Sequence, residues 1–151
     1  MAASYGAFAV RRTPIFWLQN KAMRIILRTS HLTCTQSMRE RLGLLTLFNR
    51  RRYLRLKLVY KIVNDYHCPR QFQGYFALRS ELRCKALTDG RELHLPRDKT
   101  AMGQSTFEYA AAKEWNDLPK ALRACETLRR FKIKTFKFLI ESDKTQHMCS
   151  V

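Results

Sequence analysis

The stretch from Thr46 to Asn64 constrains the fold more than any other part of this sequence. Thr46 is a good N-cap residue, and apolar side chains follow it at the three- and four-residue spacing of an amphipathic helix. They form two adjacent lines, with Leu47, Leu54, Leu58 and Ile62 in one and Leu56, Val59, Tyr60 and Val63 in the other. Because so wide an apolar face needs a core to cover it, we predict that this helix is central to a mostly α-helical domain.

Another amphipathic stretch precedes this helix. Thr13 followed by Pro14 is typical of a helix start, and apolar residues then recur at helical spacing, which predicts a helix from Pro14 to Arg28. The residues expected to face the core are Ile15, Leu18, Ala22, Ile25 and Ile26. A short helix through Met38 is predicted to stop at Gly43, a residue suited to a left-handed helix cap.

The second half of the sequence predicts two further helices and two short strands. Glu92 to Pro96 alternates polar and apolar residues, and Ser105 to Phe107 follows a glycine, so each is predicted to be a short strand. Tyr109 to Asp117 predicts a helix that ends before Pro119, and a last helix is predicted from a cap at Thr127. The inward residues of that last helix are expected to be Leu128, Phe131, Thr135, Phe138 and Leu139.

Together these stretches predict a single helical domain with at most a small strand pair near residues 92–107. No internal repeat or Gly/Ser-rich linker divides the sequence. We therefore expect residues 1–13 to be an unmatched tail, residues 14–141 to be the helical domain, and residues 142–151 to be a frayed tail that follows Glu141.

The charge of the sequence indicates a polyanionic partner. Its 29 Lys and Arg outnumber its 12 Asp and Glu, and the formal net charge is +17. Chains this basic associate with polyanions through long-range attraction and counterion release, so the expected partner is the phosphate backbone of RNA or DNA, without sequence preference. The excess is concentrated before residue 67, where 13 basic residues are accompanied only by Glu40 and Asp65.

The candidate nucleic-acid contacts are cations on the polar sides of the first and third predicted helices. They are Lys21, Arg24, Arg28, Arg50, Arg51, Arg52, Arg55, Lys57 and Lys61. Like charges on one helix repel one another, and a bound polyanion would relieve that repulsion. The alternative is a solvated surface without a partner. Tyr53 and Tyr66 are expected to pack in the core rather than to stack on bases.

The sequence carries no pattern typical of an enzyme or a membrane protein. GxGxxG, P-loop, HExxH and serine-elbow motifs are absent, and none of the four histidines stands in a triad-like pattern. No apolar run reaches the roughly 18 residues of a membrane span. We therefore expect a non-enzyme without membrane contact.

The cysteines and histidines predict neither disulfides nor a metal site. The five cysteines are widely spaced and form no CxxC pair, which is typical of reduced thiols in an intracellular protein, nuclear or cytoplasmic. His67, Cys68, Cys84 and His94 fit no standard zinc spacing. We expect no metal and no cofactor.

Four segments of the chain follow one another in a specific order. They are LQNKAMRIIL (residues 18–27), RERLGLLTLFNRRRYLRLKLVYKIVND (39–65), LPRDKTAMGQSTFEYAAAKEWNDLP (95–119) and ETLRRFKIKTFKFLI (126–140). In this order they resemble the C-terminal region of reverse transcriptases from jockey-like non-LTR retrotransposons (LINE elements). Phe107, Tyr109 and Trp115 in the third segment are predicted to dock it on the long helix.

The resemblance implies a fragment without the catalytic centre. In that family the chemistry belongs to an upstream palm domain, whose paired aspartates hold metal ions. The aspartates of this sequence are isolated from one another, at Asp65, Asp89, Asp98, Asp117 and Asp143. The resemblance therefore implies an accessory domain that binds RNA or DNA backbones. The alternatives are a helical module that packs on a reverse-transcriptase core through an exposed apolar face, and a decayed reading frame with no selected function.

Overall fold

The computed structural model describes residues 14–64, 66, 70–72, 74–82 and 90–148. Of these residues 68% are helical and 2% are strand, which confirms the predicted mostly α-helical fold. The chain divides into two compact units: the first unit is Met1–Arg51 with Lys137–Val151, and the second unit is Arg52–Phe136. The predicted domain limits at residues 14 and 141 stay predictions.

Of the α-helices in the described residues, the five longest were predicted and three four-residue helices were not. The helices are α1 (Pro14–Leu27), α2 (Thr35–Leu42), α3 (Leu47–Val63), α4 (Arg79–Leu82), α5 (Ala101–Gln104), α6 (Phe107–Asn116), α7 (Lys120–Arg123) and α8 (Leu128–Met148), with a 3-10 turn at Arg70–Phe72. Because the first unit ends at Arg51 and resumes at Lys137, α3 and α8 each contribute residues to both units.

Three predicted helix caps, at Gly43, Thr46 and Thr127, are confirmed. Gly43 follows α2 with a φ of 60°, in the left-handed region that favours glycine. The Thr46 hydroxyl accepts a hydrogen bond from the Asn49 amide at 3.2 Å at the start of α3. The Thr127 hydroxyl accepts one from the Arg130 amide at 3.3 Å at the start of α8. Thr13, the predicted cap of α1, lies outside the described residues.

Both predicted strands are wrong. Within Glu92 to Pro96 only Leu93 pairs, in an isolated antiparallel bridge to Leu78. Ser105 to Phe107 leads into α6: the Thr106 side chain accepts from the Tyr109 amide, and Phe107 is the first helical residue. Here the capping threonine outweighs the strand preference of the aromatic residues.

Helix α8 also departs from the prediction. It continues beyond Glu141 to Met148, where a frayed end was expected. The Asp143 carboxylate helps to hold this last part of α8 in the first unit. It accepts hydrogen bonds from the Thr46 amide at 3.1 Å and the Thr46 hydroxyl at 3.0 Å. It also accepts one from the Asn49 side-chain amide at 2.6 Å. A carboxylate placed at the start of α3 satisfies amides that have no partner within that helix.

The orientation of α1 corrects the sequence analysis. The residues expected to face the core are all exposed: Ile15, Leu18, Ala22, Ile25 and Ile26. The helix instead buries Met23 and Asn20, and the Gln19 side chain donates to the Leu45 carbonyl at 3.4 Å. Because α1 has apolar residues on more than one side, helical periodicity alone does not determine which side packs against α2.

The core of the second unit is built around three aromatic rings. Tyr60 of α3 stacks on Phe131 of α8 at 4.4 Å between ring centroids, and Trp115 of α6 lies 5.8 Å from the same Phe131. All three residues are fully buried. The Tyr60 hydroxyl donates to the Cys125 carbonyl at 2.8 Å, and burial raises the pKa of Tyr60 above its ordinary value.

Within the second unit, the side chains of Trp115 and Asn116 hold the extended segment 91–93 through hydrogen bonds. The Trp115 indole N–H donates to the Arg91 carbonyl at 2.8 Å. The Asn116 side chain accepts from the Leu93 amide and donates to the Leu93 carbonyl, both at 2.9 Å. The predicted docking of Trp115 on the long helix is confirmed, because its ring lies 6.4 Å from that of Tyr60.

Phe107 makes a different contact from the one predicted. Its ring lies 6.2 Å from Tyr75 and 6.3 Å from Phe76. These rings form a second aromatic group that also includes Phe72. The start of α6 is therefore packed by residues of the preceding loop region.

Candidate nucleic-acid interface

The six predicted contact residues of α3 separate into two groups. In a continuous helix with about 3.6 residues per turn, Arg50, Lys57 and Lys61 fall on one line, and Arg51 stands about 100° around the helix from it. The Arg50 and Arg51 side chains are exposed, and those of Lys57 and Lys61 are half-buried. We call these four residues the α3 cationic ridge.

Arg55 is held in an ion pair rather than displayed to solvent. Its Nε donates to Oε2 of Glu114 on α6 at 2.9 Å, and its second contact joins Nη2 to Oε1. The hydrogen bond with Glu114 raises the pKa of Arg55 above its ordinary value. The expectation of a free guanidinium is therefore wrong, because folding brings together two residues that are 59 positions apart.

Arg24 and Arg52 are also partly withdrawn from solvent. Both side chains are half-buried, and in the described part of the protein the Nε atom of each is buried without a hydrogen-bond partner. Their aliphatic stems therefore contribute to packing, while only part of each guanidinium remains accessible.

The two remaining candidates lie at α1. Lys21 is exposed, and its ammonium lies 5.0 Å from the centroid of the Trp17 ring, a cation–π geometry. Arg28 directly follows α1 with a φ of 49°, and its side chain is exposed. Both cations are accessible to a ligand.

Three cations of the α3 cationic ridge are uncompensated. Among the residues that the structure describes, no carboxylate lies within ion-pair distance of Arg51, Lys57 or Lys61. Leu54, which is also exposed, falls on the same line between Arg50 and Lys57. The ridge therefore combines unpaired positive charge with one apolar side chain.

Helix α8 adds cations that were not among the candidate contacts. Arg129, Arg130 and Lys134 are exposed in the second unit. The signal was present in the sequence, because the segment from Thr127 to Ile140 contains no acidic residue.

The two tyrosines considered for base stacking differ. Tyr53 packs edge-on against Phe136 at 5.7 Å, which confirms the predicted packing. Tyr66 is 43% exposed, so the expectation of core packing is wrong for this residue. An exposed phenol ring offers a face on which an unpaired base can stack.

A small cavity of about 70 Å³ opens in the first unit. Its lining residues are Gln36, Arg39, Glu40, Gly43, Leu44, Ile140, Asp143 and Lys144. Charges of both signs line it, and Asp143 is engaged at the start of α3. The cavity therefore has no clear preference for an anion.

Metal ligands and membrane spans were sought in the same residues. No group of three or more His, Cys, Asp or Glu in the described ranges could hold a metal ion, and His67, Cys68 and Cys84 lie outside them. None of the described helices combines the length and apolar character that crossing a bilayer requires.

Comparisons with known proteins leave the family open. No family model matches the sequence, and neither the curated proteins nor the solved structures show a significant match. The resemblance to the C-terminal region of LINE reverse transcriptases therefore stays a prediction.

Proposed function

We propose that the chain binds the phosphate backbone of RNA or DNA through the α3 cationic ridge, without sequence preference and without catalysing a reaction. The observation that carries the proposal is the set of uncompensated cations at Arg51, Lys57 and Lys61. When such cations neutralise phosphates, the counterions condensed on the nucleic acid are released, and this release favours binding.

The spacing of the ridge lysines suits a nucleic-acid strand. Lys57 and Lys61 lie four helical positions apart in the second unit, about 6 Å at the rise of an α-helix. Successive phosphates of one B-form strand advance about 3.4 Å along the duplex axis, so one strand brings about two phosphates to this pair. The resemblance to a reverse-transcriptase region supports the same function, as an accessory domain of a larger nucleic-acid enzyme.

The proposal is tested by the salt dependence of binding. We expect the chain to bind a single-stranded RNA and a DNA duplex of scrambled sequence, measured by fluorescence anisotropy. With about four phosphate contacts, affinity for the duplex should fall roughly a hundredfold between about 50 and 200 mM salt. Absence of binding at the lowest salt would refute the proposal.

A matched pair of variants separates the ridge from net charge. Arg51→Glu with Lys61→Glu removes two ridge cations, and Lys113→Glu with Lys120→Glu makes the same charge change at exposed residues of the second unit. The ridge variant should lose more affinity and show a flatter salt slope. Equal losses in both variants would mean that binding follows overall charge and not this surface.

Glu114 is unsuitable as a neutral control, because it is bonded to Arg55. Its substitution would free a guanidinium beside the ridge as well as remove an acid. Arg55 is unsuitable for charge reversal for the same reason, since placing a carboxylate beside Glu114 would disturb the packing of the second unit.

A further inference from the structure

Helix α1 displays an apolar stripe that nothing in the described structure covers. Its residues are Ile15, Leu18, Ala22, Ile25 and Ile26, and all are exposed. Ile25 and Ile26 are 67% and 64% exposed, which is high for aliphatic side chains in a helix of a folded unit. On a helix these positions fill an arc about 100° wide, the width at which an amphipathic helix is normally buried.

The spacing within this stripe matches the seam of a coiled coil. Ile15, Leu18, Ala22 and Ile25 follow one another at intervals of three and four residues, as the a and d positions of a heptad do. The small Ala22 side chain in the middle leaves room for a knob from a facing helix.

Cations flank the stripe on its solvent side. In the heptad frame Lys21 occupies the g position beside the seam, and Arg28 directly follows the last helical residue, Leu27. The opposite side of α1 is occupied by the packing of Met23 and Asn20 within the first unit. A partner helix packed on the stripe would therefore lie next to these cations, on the side of the stripe that faces solvent.

This charge determines which partner fits. A second copy of the chain would bring the same Lys21 and Arg28 against this flank, and the sequence has no acidic residue before Glu40. Residues 1–13 carry Arg11 and Arg12 and no acid, so they offer no complementary charge either. Like charges at the edge of a helix pair are repulsive, and opposite charges there select partners.

We propose that the α1 stripe docks an amphipathic helix of another protein, with apolar residues at heptad spacing and acidic residues beside them. The docked helix would cover Leu18 and Ile25 and place carboxylates against Lys21 and Arg28. This makes specific the interaction-module alternative raised by the sequence, and it does not depend on nucleic-acid contact by α3.

Binding to a designed peptide tests the proposal with the full chain. The probe is a synthetic peptide of about three heptads with leucine at a and d and glutamate at e and g, which its own charge keeps from pairing with itself. The matched peptide has lysine in place of glutamate. Binding is measured by the fluorescence anisotropy of the labelled peptide, and its loss in variants of the stripe reports docking at α1.

We expect the glutamate peptide to bind at least about tenfold more tightly than the lysine peptide. Leu18→Ser with Ile25→Ser should weaken its binding at least about tenfold, whereas Leu32→Ser, at another exposed leucine of the first unit, should not. Lys21→Glu with Arg28→Glu should reverse the preference between the two peptides. Circular dichroism of each variant verifies that helix content is retained.

Three results would overturn the proposal. The first is that neither peptide binds, or that both bind equally. The second is concentration-dependent dimerisation that Ile25→Ser abolishes, which would assign the stripe to a second copy. The third is binding to phosphatidylserine vesicles through Ile25 without binding to the peptide, which would assign it to a membrane surface. RNA binding by the Leu18→Ser/Ile25→Ser variant is measured in parallel, so that failure of either function is distinguished from failure of the other.

Discussion

Helices α1 and α3 share an amphipathic, basic pattern but have opposite relations to their cores. Both are amphipathic, and both carry cations on their polar sides. α3 hides Leu56, Val59 and Tyr60 completely within the second unit, whereas α1 turns Ile25 and Ile26 to solvent. Amphipathicity therefore establishes that each helix has an apolar face, but not that the same molecule covers it.

The difference follows from what lies opposite each helix. Tyr60 of α3 meets aromatic rings from α6 and α8, which together exclude water from its apolar face. α1 packs within the first unit through Met23. No ring or other side chain of the described residues covers its apolar stripe. The apolar face of α3 therefore stabilises the second unit, whereas the apolar face of α1 is exposed for the proposed docking of a partner helix.

The strongest test of this contrast compares the two tryptophans. Trp115→Ala removes a fully buried ring from the core of the second unit and should cost about 3–5 kcal/mol of stability. Trp17→Ala removes an exposed ring and should change stability by less than about 0.5 kcal/mol. Urea denaturation followed by circular dichroism measures both. Similar losses in the two variants would show that the Trp17 side of α1 is buried in solution.

A smaller loss is expected from Asp143→Ala in the first unit. The substitution leaves the Thr46 amide and the Asn49 side chain without their shared acceptor, at a cost of about 1–3 kcal/mol. Asp143→Asn retains an acceptor oxygen and should lose less. The measurement is chemical denaturation of both variants, and an unchanged midpoint for Asp143→Ala would show that this carboxylate does not hold α8 to the start of α3.

Tyr60 makes the stability of the second unit depend on pH. Because burial raises its pKa in the folded chain, the unfolded chain ionises first, and the stability contributed by the neutral phenol is lost as pH rises above about 10. Tyr60→Phe should cost about 1 kcal/mol at neutral pH through the lost bond to the Cys125 carbonyl. It should also lose less stability than the unaltered chain between neutral and alkaline pH. A steeper alkaline loss in the variant would contradict this.

The smallest effect concerns reactivity and leaves stability unchanged. Cys34 is exposed at the start of α2, where the backbone amides of Gln36 and Ser37 lower the pKa of its thiol, whereas Cys125 is buried. Alkylation of Cys34 by iodoacetamide should therefore begin at lower pH than in the urea-unfolded chain, and Cys125 should react slowly until the chain unfolds. Peptide mass spectrometry at several pH values measures both sites. The same pH profile for Cys34 in folded and unfolded chains would exclude thiolate stabilisation by α2.

Local signals in the sequence predicted the helices well. The caps at Gly43, Thr46 and Thr127 act within a few residues, and their hydrogen bonds or backbone angle appear as expected. The strand prediction near Phe107 failed for a related reason. The aromatic Phe107 favours a strand there, whereas Thr106 favours a helix start. In the structure Thr106 caps α6 and Phe107 is helical.

The cationic site was predicted less well than the helices. Sequence spacing identified the cations of α3 but treated all six as equivalent. The pairing of Arg55 with Glu114 depends on the approach of α6 to α3, and no local pattern encodes a contact across 59 positions. The same holds for the exposed tyrosine, Tyr66, whose environment is set by residues distant in the sequence.

By itself the sequence determined the mostly helical class, the helix caps at Gly43, Thr46 and Thr127 and the excess of positive charge, because propensity, capping and charge are properties of neighbouring residues. Only the tertiary structure decided which apolar face is covered, which arginines are paired and which aromatic rings meet. Those outcomes depend on which surfaces touch, and the free energy of burial is gained only where a partner surface is present. The stripe of α1 is exposed and the ring of Trp115 is buried because only the ring meets a partner surface in the described structure.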